Sequence, residues 1–115
     1  MTSRAAELNV GPRPPDALPS LDDRLLRLLA DPLRARLVSL LAGEQLCTCH
    51  LAQATGALPS AVSNQLRHLR EAGVVEPEAA GRFTYYRLRP EMLAGLGEHL
   101  TALATAARAA EKRPC

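Results

Sequence analysis

Residues 59–73, PSAVSNQLRHLREAG, constrain the fold more than any other stretch. Proline stands where a first helical residue belongs, and glycine stands just past the end, so the segment carries both punctuation marks of a helix. Within it only Val62, Leu66 and Leu69 recur at helical spacing, giving a narrow inward seam. The other positions, Ser60, Ser63, Asn64, Gln65, Arg67 and His68, are polar. Such a helix rests on a core along one thin edge and presents a wide hydrogen-bonding face outward. A helix that enters the DNA major groove needs the same division.

The flanking segments set the frame. LDDRLLRLLA places Leu21, Leu25, Leu28 and Leu29 on one helical face, with Ser20 and Asp23 as start signals. Asp31–Pro32 opens a second helix, whose stripe is Leu33, Leu37, Leu40 and Leu41 and whose end is marked by Gly43. A short helix through CHLAQATG turns Leu51 and Ala54 inward, and Gly56 reverses the chain. After Gly73, VVEPEAAGRFTYYRLR predicts a hairpin: Val74 and Val75, a turn through Ala79–Gly81, then Phe83, Tyr85 and Leu88. Pro77 confines its first strand to an edge. EMLAGLGEHLTALATAARAAEK closes the chain as a helix carrying Met92, Leu96, Leu100 and Leu103. The expected fold is mainly α with a β-hairpin, a winged helix-turn-helix over residues 20–110. Residues 1–19, with Pro12, Pro14, Pro15 and Pro19, read as a flexible N-terminal tail, and residues 111–115 as a C-terminal one.

Composition agrees. At 115 residues the chain makes one domain, and with aromatics at 3% its core must be aliphatic, which suits packed helices. The net charge of +2 is too small to assign a polyanionic partner, but all of the 14 basic residues except Lys112 are arginine, the better bidentate ligand for phosphate and guanine. No apolar run approaches the ~20 residues of a membrane span, and the N-terminus has no secretory core, so no membrane partner and a cytoplasmic location are expected.

On the segment 59–70, Asn64 and Gln65 suit adenine, Arg67 suits guanine or phosphate, and Ser60 and Ser63 suit phosphate near a helix N-terminus. His68 completes the face. Arg82 and Thr84, with Gly81, form a basic hairpin tip able to reach the adjacent minor groove or backbone. Arg67 and Gln65 both lie off the seam, so their replacement is expected to leave stability intact. Tyr85 is expected to serve in strand packing.

DPLRARLVSLL, LCTCHLAQATG, PSAVSNQLRHLREAGVV and GRFTYYRL together resemble the ArsR/SmtB family of metal-responsive repressors, over about Leu21 to Leu103. The resemblance implies a homodimer joined through the first and last helices, binding an inverted-repeat double-stranded DNA operator when metal-free, with no cofactor needed for that binding. It implies neither an enzyme nor a small-molecule substrate. Members usually carry serine where this chain has Leu58, so a side-chain N-cap is lost, and Pro59 compensates in part.

The family's sensing sites can be checked residue by residue. The closing-helix zinc site corresponds to Pro90, Met92, Leu103 and Ala106, none of them a competent ligand, and the tail before Leu21 has no cysteine. The segment CTCH, residues 47–50, instead resembles the Cys-Val-Cys of the arsenic-sensing branch. That branch often has another cysteine where this chain has Ala52, which leaves Cys115 as the remaining thiol. The resemblance thus implies a metal site at Cys47 and Cys49, with Cys115, the remaining thiol, as an optional third ligand, As(III) or Sb(III) as inducer and Cd, Pb or Zn as alternatives. Placed on one helix, Cys47 and Cys49 would lie ~200° apart around its axis, so one must point away from the core. His50 is a further donor, although an exposed helix histidine more often has no such role. The competing readings are a thiol-based redox sensor, a thiol–disulfide exchange enzyme and a winged helix that binds no DNA. No Lys or Arg adjoins either cysteine in sequence, Cys-x-x-Cys spacing is missing, and a purely protein-binding helix needs no such polar face.

Overall fold

The computed structural model describes residues 23–115. The N-terminal tail, Ser20 and Leu21 lie outside the described residues. Five helices and three strands follow in the order α1 Asp23–Ala30, α2 Pro32–Leu41, β1 Leu46–Cys47, α3 Thr48–Thr55, α4 Pro59–Glu71, β2 Val75–Ala80, β3 Phe83–Leu88 and α5 Pro90–Arg108. This is the winged helix-turn-helix arrangement: α3 and α4 form the helix-turn-helix, and β2–β3 the wing.

The caps follow from the residues at each boundary. Asp31 accepts a hydrogen bond from the Arg34 amide at 3.0 Å, and Pro32 fills the first position of α2. Gly56 adopts φ 74°, a left-handed C-cap that lets the chain leave α3 for α4 without strain. Beyond α4, Val74 N–H reaches Leu69 C=O and Gly73 N–H reaches Arg70 C=O, both at 2.9 Å. That bond pair is a Schellman ending, and it throws Val74 and Val75 straight into the core. By contrast α2 ends at a right-handed Ala42, one residue before the expected Gly43.

The core gathers the expected stripes: Leu25 from α1, Leu37 and Leu41 from α2, Leu51 from α3, Val62, Leu66 and Leu69 from α4, and Val74 and Val75 at the entry to the wing. Within α3, Ala52 and not Ala54 packs inward. Ala54 is exposed because position 51 already sets the buried face and 52 and 55 flank it. On β3 the core-facing residues are Tyr86 and Leu88, which by alternation puts Phe83, Tyr85 and Arg87 on the opposite face.

The sheet holds two departures from the sequence reading. The wing turn is the two-residue Gly81–Arg82, with Gly81 at φ 64°, while Ala79 and Ala80 stay paired to Thr84 and Phe83. A third strand, β1, lies on the far side of β3, giving the antiparallel order β1-β3-β2 with Cys47 opposite Tyr85. Pro77 accordingly sits on an edge strand. Helix α5 contributes no buried residue; Leu96 packs against the core, but Leu100 and Leu103 are exposed. No helix among the described residues is long and apolar enough to cross a membrane.

Candidate nucleic-acid interface and thiol site

At 100° per residue, the exposed residues Ser60, Ser63, Asn64, Arg67, Arg70 and Glu71 fall within one arc of about 120° on α4, opposite its buried seam. Leu58 caps this helix without a side-chain hydrogen bond, and Pro59 takes the first helical position. Arg67 Nη2 donates to Asn64 Oδ1 at 2.6 Å, and its Nη1 lies 3.7 Å from Glu71. The Asn64–Arg67 pair therefore offers a preorganised fork at the centre of the arc. Arg70, at the same spacing beyond Arg67, extends the arc in charge. The i, i+3 repeat 64, 67, 70 was the signal available for it in sequence.

Gln65 and His68 stand apart from this arc, on the partly buried flank. Gln65 Oε1 accepts from Arg34 Nη1 at 2.7 Å, and Arg34 Nε donates to the carbonyl of Leu28 at 2.7 Å. One guanidinium thus joins the end of α1, the first turn of α2 and the middle of α4. Two residues on, Arg36 Nη2 donates to Ala54 C=O at 3.0 Å, satisfying a carbonyl in the last turn of α3. These two arginines of α2 hold the two halves of the helix-turn-helix.

In the wing, Arg82 and Thr84 are exposed on either side of Phe83, which is exposed as well. At its base Glu76 pairs with its cross-strand partner Arg87 and lies within 4.0 Å of Arg89, which also bonds Glu91 at 3.0 Å. The Glu91 carboxyl is held below the usual carboxylate range, first by its own backbone N–H in the opening turn of α5 and then by Arg89. These charges are partly solvated, so each pair adds little to stability.

The thiols occupy unlike places. Cys47 is not helical: at φ −90° and ψ 171° it ends β1 and is the N-cap of α3. The ~200° argument therefore fails for this pair, because an extended residue that pairs with Tyr85 has left the helical path. One thiol does point outward, since Cys49 is exposed whereas Cys47 is buried at 7%. Cys47 is nonetheless not part of the core cluster. His50 Nδ1 lies 3.3 Å from both the Cys47 amide nitrogen and Sγ. His50 occupies N3, so the pair makes a capping box in which imidazole and thiol replace the usual carboxylate and hydroxyl. Sulfur is a weak acceptor, and the imidazole bond carries most of that cap. Tyr85 packs at a tilt against His50, their ring centroids 6.1 Å apart. The Cys-x-x-His spacing carried this signal, read as N-cap to N3.

Cys115 is exposed beyond the end of α5. Among the described residues no three His, Cys, Asp or Glu side chains converge as a metal site, so the three thiols are not brought together in this single-chain conformation.

Comparison with known proteins agrees with this architecture. Residues 31–76 match the model of the bacterial regulatory protein arsR family. The chain is 41% identical over 69 residues to the arsenic resistance transcriptional regulator ArsR1 of Pseudomonas putida, covering 59% of this chain and 54% of that one. It is 38% identical over 92 residues to the HTH-type transcriptional repressor SmtB of Mycobacterium tuberculosis, covering 79% and 68%. The chain spans about half the length of the first curated relatives it matches. A crystal structure described as a possible transcriptional regulator for arsenical resistance superposes with a TM-score of 0.63 at 38% identity, covering 80% of this chain and 100% of that one. A homodimeric winged helix-turn-helix domain from Mycobacterium bovis superposes with a TM-score of 0.59 at 27% identity, covering 80% and 85%.

Proposed function

The chain belongs to the ArsR/SmtB family of transcriptional regulators, and on that footing we propose that it is a metalloid-responsive repressor. It occupies an inverted-repeat operator as a dimer while its thiols are free and leaves it when As(III) or Sb(III) is bound. The observation that carries the reading is the arc of α4, where Asn64 and Arg67 stand preorganised between the serines and Arg70, with the Arg82 tip of the wing as a second contact. Ser60 and Ser63 suit phosphate, Asn64 and Arg67 suit base edges, and Arg82 and Thr84 suit the adjacent backbone or minor groove. Gln65 and His68 act from the flank of α4, Gln65 through Arg34.

The second subunit packs on α5. That helix buries none of its residues in the single chain and leaves Leu100 and Leu103 in water, a loss that dimer formation removes. A structural neighbour described as homodimeric supports the formation of a dimer.

Cys47 and Cys49 supply the inducer's soft donors, with Cys115 of the same or the partner subunit as the third. Relatives named for arsenic resistance support an arsenic-type inducer. Cys47 already belongs to the N-cap of α3, so a thiolate engaged by an ion is drawn away from His50 and the first turn of α3 loosens. Helix α3 supports α4 through the Gly56 turn, so the operator-binding face loses its set position. A decisive shift of population needs ~5 kcal/mol in favour of the released form, within what multidentate thiolate binding supplies.

A second reading is favoured by the 3.3 Å approach of Cys47 Sγ to His50 Nδ1, since a mixed S/N donor set suits Zn or Cd and a paired thiol suits oxidant sensing. One titration separates them. Release from operator DNA is followed by fluorescence anisotropy with As(III), Sb(III), Cd(II), Pb(II), Zn(II) and peroxide. Release by As(III) or Sb(III) at the lowest concentration is expected, and release by peroxide alone would reject the metalloid reading.

A further inference from the structure

Four large apolar side chains are exposed among the described residues: Leu58, Phe83, Leu100 and Leu103. The last two belong to the α5 face assigned above to the second subunit, and Leu58 stands at the head of α4. Phe83 has no such place. It is 56% exposed, it opens β3 directly after the Gly81–Arg82 turn, and its cross-strand partner is Ala80. Ala79, Ala80 and Gly81 around it are small and exposed, and among the described residues more than half of the Phe83 surface stays open. Burying an aromatic ring is favourable, and the folded single chain leaves more than half of this one in water beside the turn of its wing. Arg82 is next to it and also exposed.

We propose that Phe83 is a specificity residue of the wing: its ring enters the minor groove beside Arg82 and selects A·T pairs there by excluding the guanine 2-amino group. The proposal rests on the reading of the chain as an operator-binding repressor. An A·T pair presents only acceptors to the minor groove, adenine N3 and thymine O2, whereas a G·C pair adds the guanine N2 donor. Arg82 offers donors that fit those acceptors. Phe83 offers an apolar ring that fits against the sugar walls, as apolar side chains of minor-groove proteins do. Neither side chain has an acceptor for the guanine amine, which would be desolvated without replacement. Thr84, which carries an acceptor, belongs by strand alternation to the opposite face, where it suits the DNA backbone and not the base edges beside Phe83. The tip thus combines cationic attraction to DNA with a surface that disfavours one base pair. The small residues opposite Phe83 keep the hairpin end slim enough for a groove about 6 Å wide.

The test uses the full chain and its operator, with each A·T pair of the flanks replaced in turn by I·C or by G·C. Inosine lacks the 2-amino group, so I·C keeps the minor-groove pattern of A·T while changing the major groove. Wild-type protein is expected to bind A·T and I·C flanks within about twofold and at least one G·C flank about tenfold more weakly, within the usual cost of a mismatched pair. Phe83→Ala is expected to shrink that G·C penalty to threefold or less, with thermal stability little changed because most of the residue is exposed. Phe83→Leu, still apolar, is expected to keep part of it. A full G·C penalty in Phe83→Ala, or equal penalties for I·C and G·C in wild type, overturns the assignment. Failure of wild-type protein to bind any duplex overturns the repressor reading itself, and this inference with it.

Discussion

Arg34 donates to Gln65 at 2.7 Å across the boundary between α2 and α4, and the same guanidinium holds the Leu28 carbonyl. From sequence, Gln65 reads as an adenine ligand whose loss leaves the fold alone. Its oxygen is instead bonded within the protein, to a cation that is itself partly buried. Gln65→Ala should therefore destabilise the domain by about 1–2 kcal/mol, the usual range for a hydrogen bond to a charged group with partial solvent relief. It should weaken operator binding evenly across base substitutions, because the whole of α4 loses its anchor. Arg34→Ala should do the same, and the double variant should cost less than the sum of the two. Chemical denaturation of the three variants checks this; strict additivity would show that the bond is not energetically coupled.

Arg67→Ala should behave differently. Its side chain is 58% exposed and its ion pair with Glu71 is a surface i, i+4 contact, so stability should move by less than about 0.5 kcal/mol. Operator affinity should fall by about 1–3 kcal/mol with specificity relaxed at one position if the contact is to a base. If the contact is to phosphate, the fall should come with a salt dependence shallower by about one ion. Asn64→Ala, which frees the Arg67 fork, should reproduce part of the loss. Salt-dependent binding isotherms for both variants decide the matter, and wild-type affinity in both would remove α4 from the interface.

Much of this arrangement was legible in the sequence because it is written in period and punctuation. The Asp31–Pro32 start, the seam Val62, Leu66, Leu69 and the Gly73 ending are local rules, and each appears in the structure. What stayed hidden depends on partners far along the chain. Nothing near Leu46 announces a two-residue strand, since β1 exists only because β3 offers it an edge opposite Tyr85 and Tyr86. That pairing is what takes Cys47 out of the helix. The Arg34–Gln65 bond spans 31 positions and leaves no periodic trace. The apolar stripe of α5 was legible and the family resemblance already pointed it at a second chain; the structure adds that Leu100 and Leu103 are exposed in the single chain, which periodicity alone does not say.

Leu100 and Leu103 give the dimer its test. Leu100→Lys with Leu103→Lys should place two charges on the face proposed to meet the second subunit, while a single chain, in which both residues are exposed, loses little. Sedimentation velocity at micromolar concentration should show the parent as a dimer and the variant as a folded monomer with unchanged helical content. Operator binding should weaken strongly, since two half-sites about 34 Å apart are no longer read together. A variant that remains dimeric would move the interface elsewhere.

Cys47 and Cys49 carry the inducer prediction, and the cap geometry makes it cleaner. Serine at position 47 removes the soft donor but is a better N-cap than cysteine, and its hydroxyl can still face His50. Cys47→Ser should therefore hold stability within about 1 kcal/mol of the parent and bind operator normally, yet fail to release it with arsenite. Cys49→Ser, at an exposed position, should match it. Separating the two roles of position 47 requires His50→Ala. That variant loses the imidazole cap on the Cys47 amide and should lower stability by about 0.5–2 kcal/mol, while both thiols remain to bind As(III). If His50→Ala needs much more arsenite for release, the imidazole belongs to the ligand set and a zinc- or cadmium-type site gains ground. If it needs less, the cap and the ion compete for Cys47, and the release mechanism through α3 stands. Cys115→Ser then reports whether the chain end supplies the third sulfur, through a weaker arsenite response with DNA affinity unchanged. Parental arsenite release in Cys49→Ser would remove the thiol pair from sensing altogether.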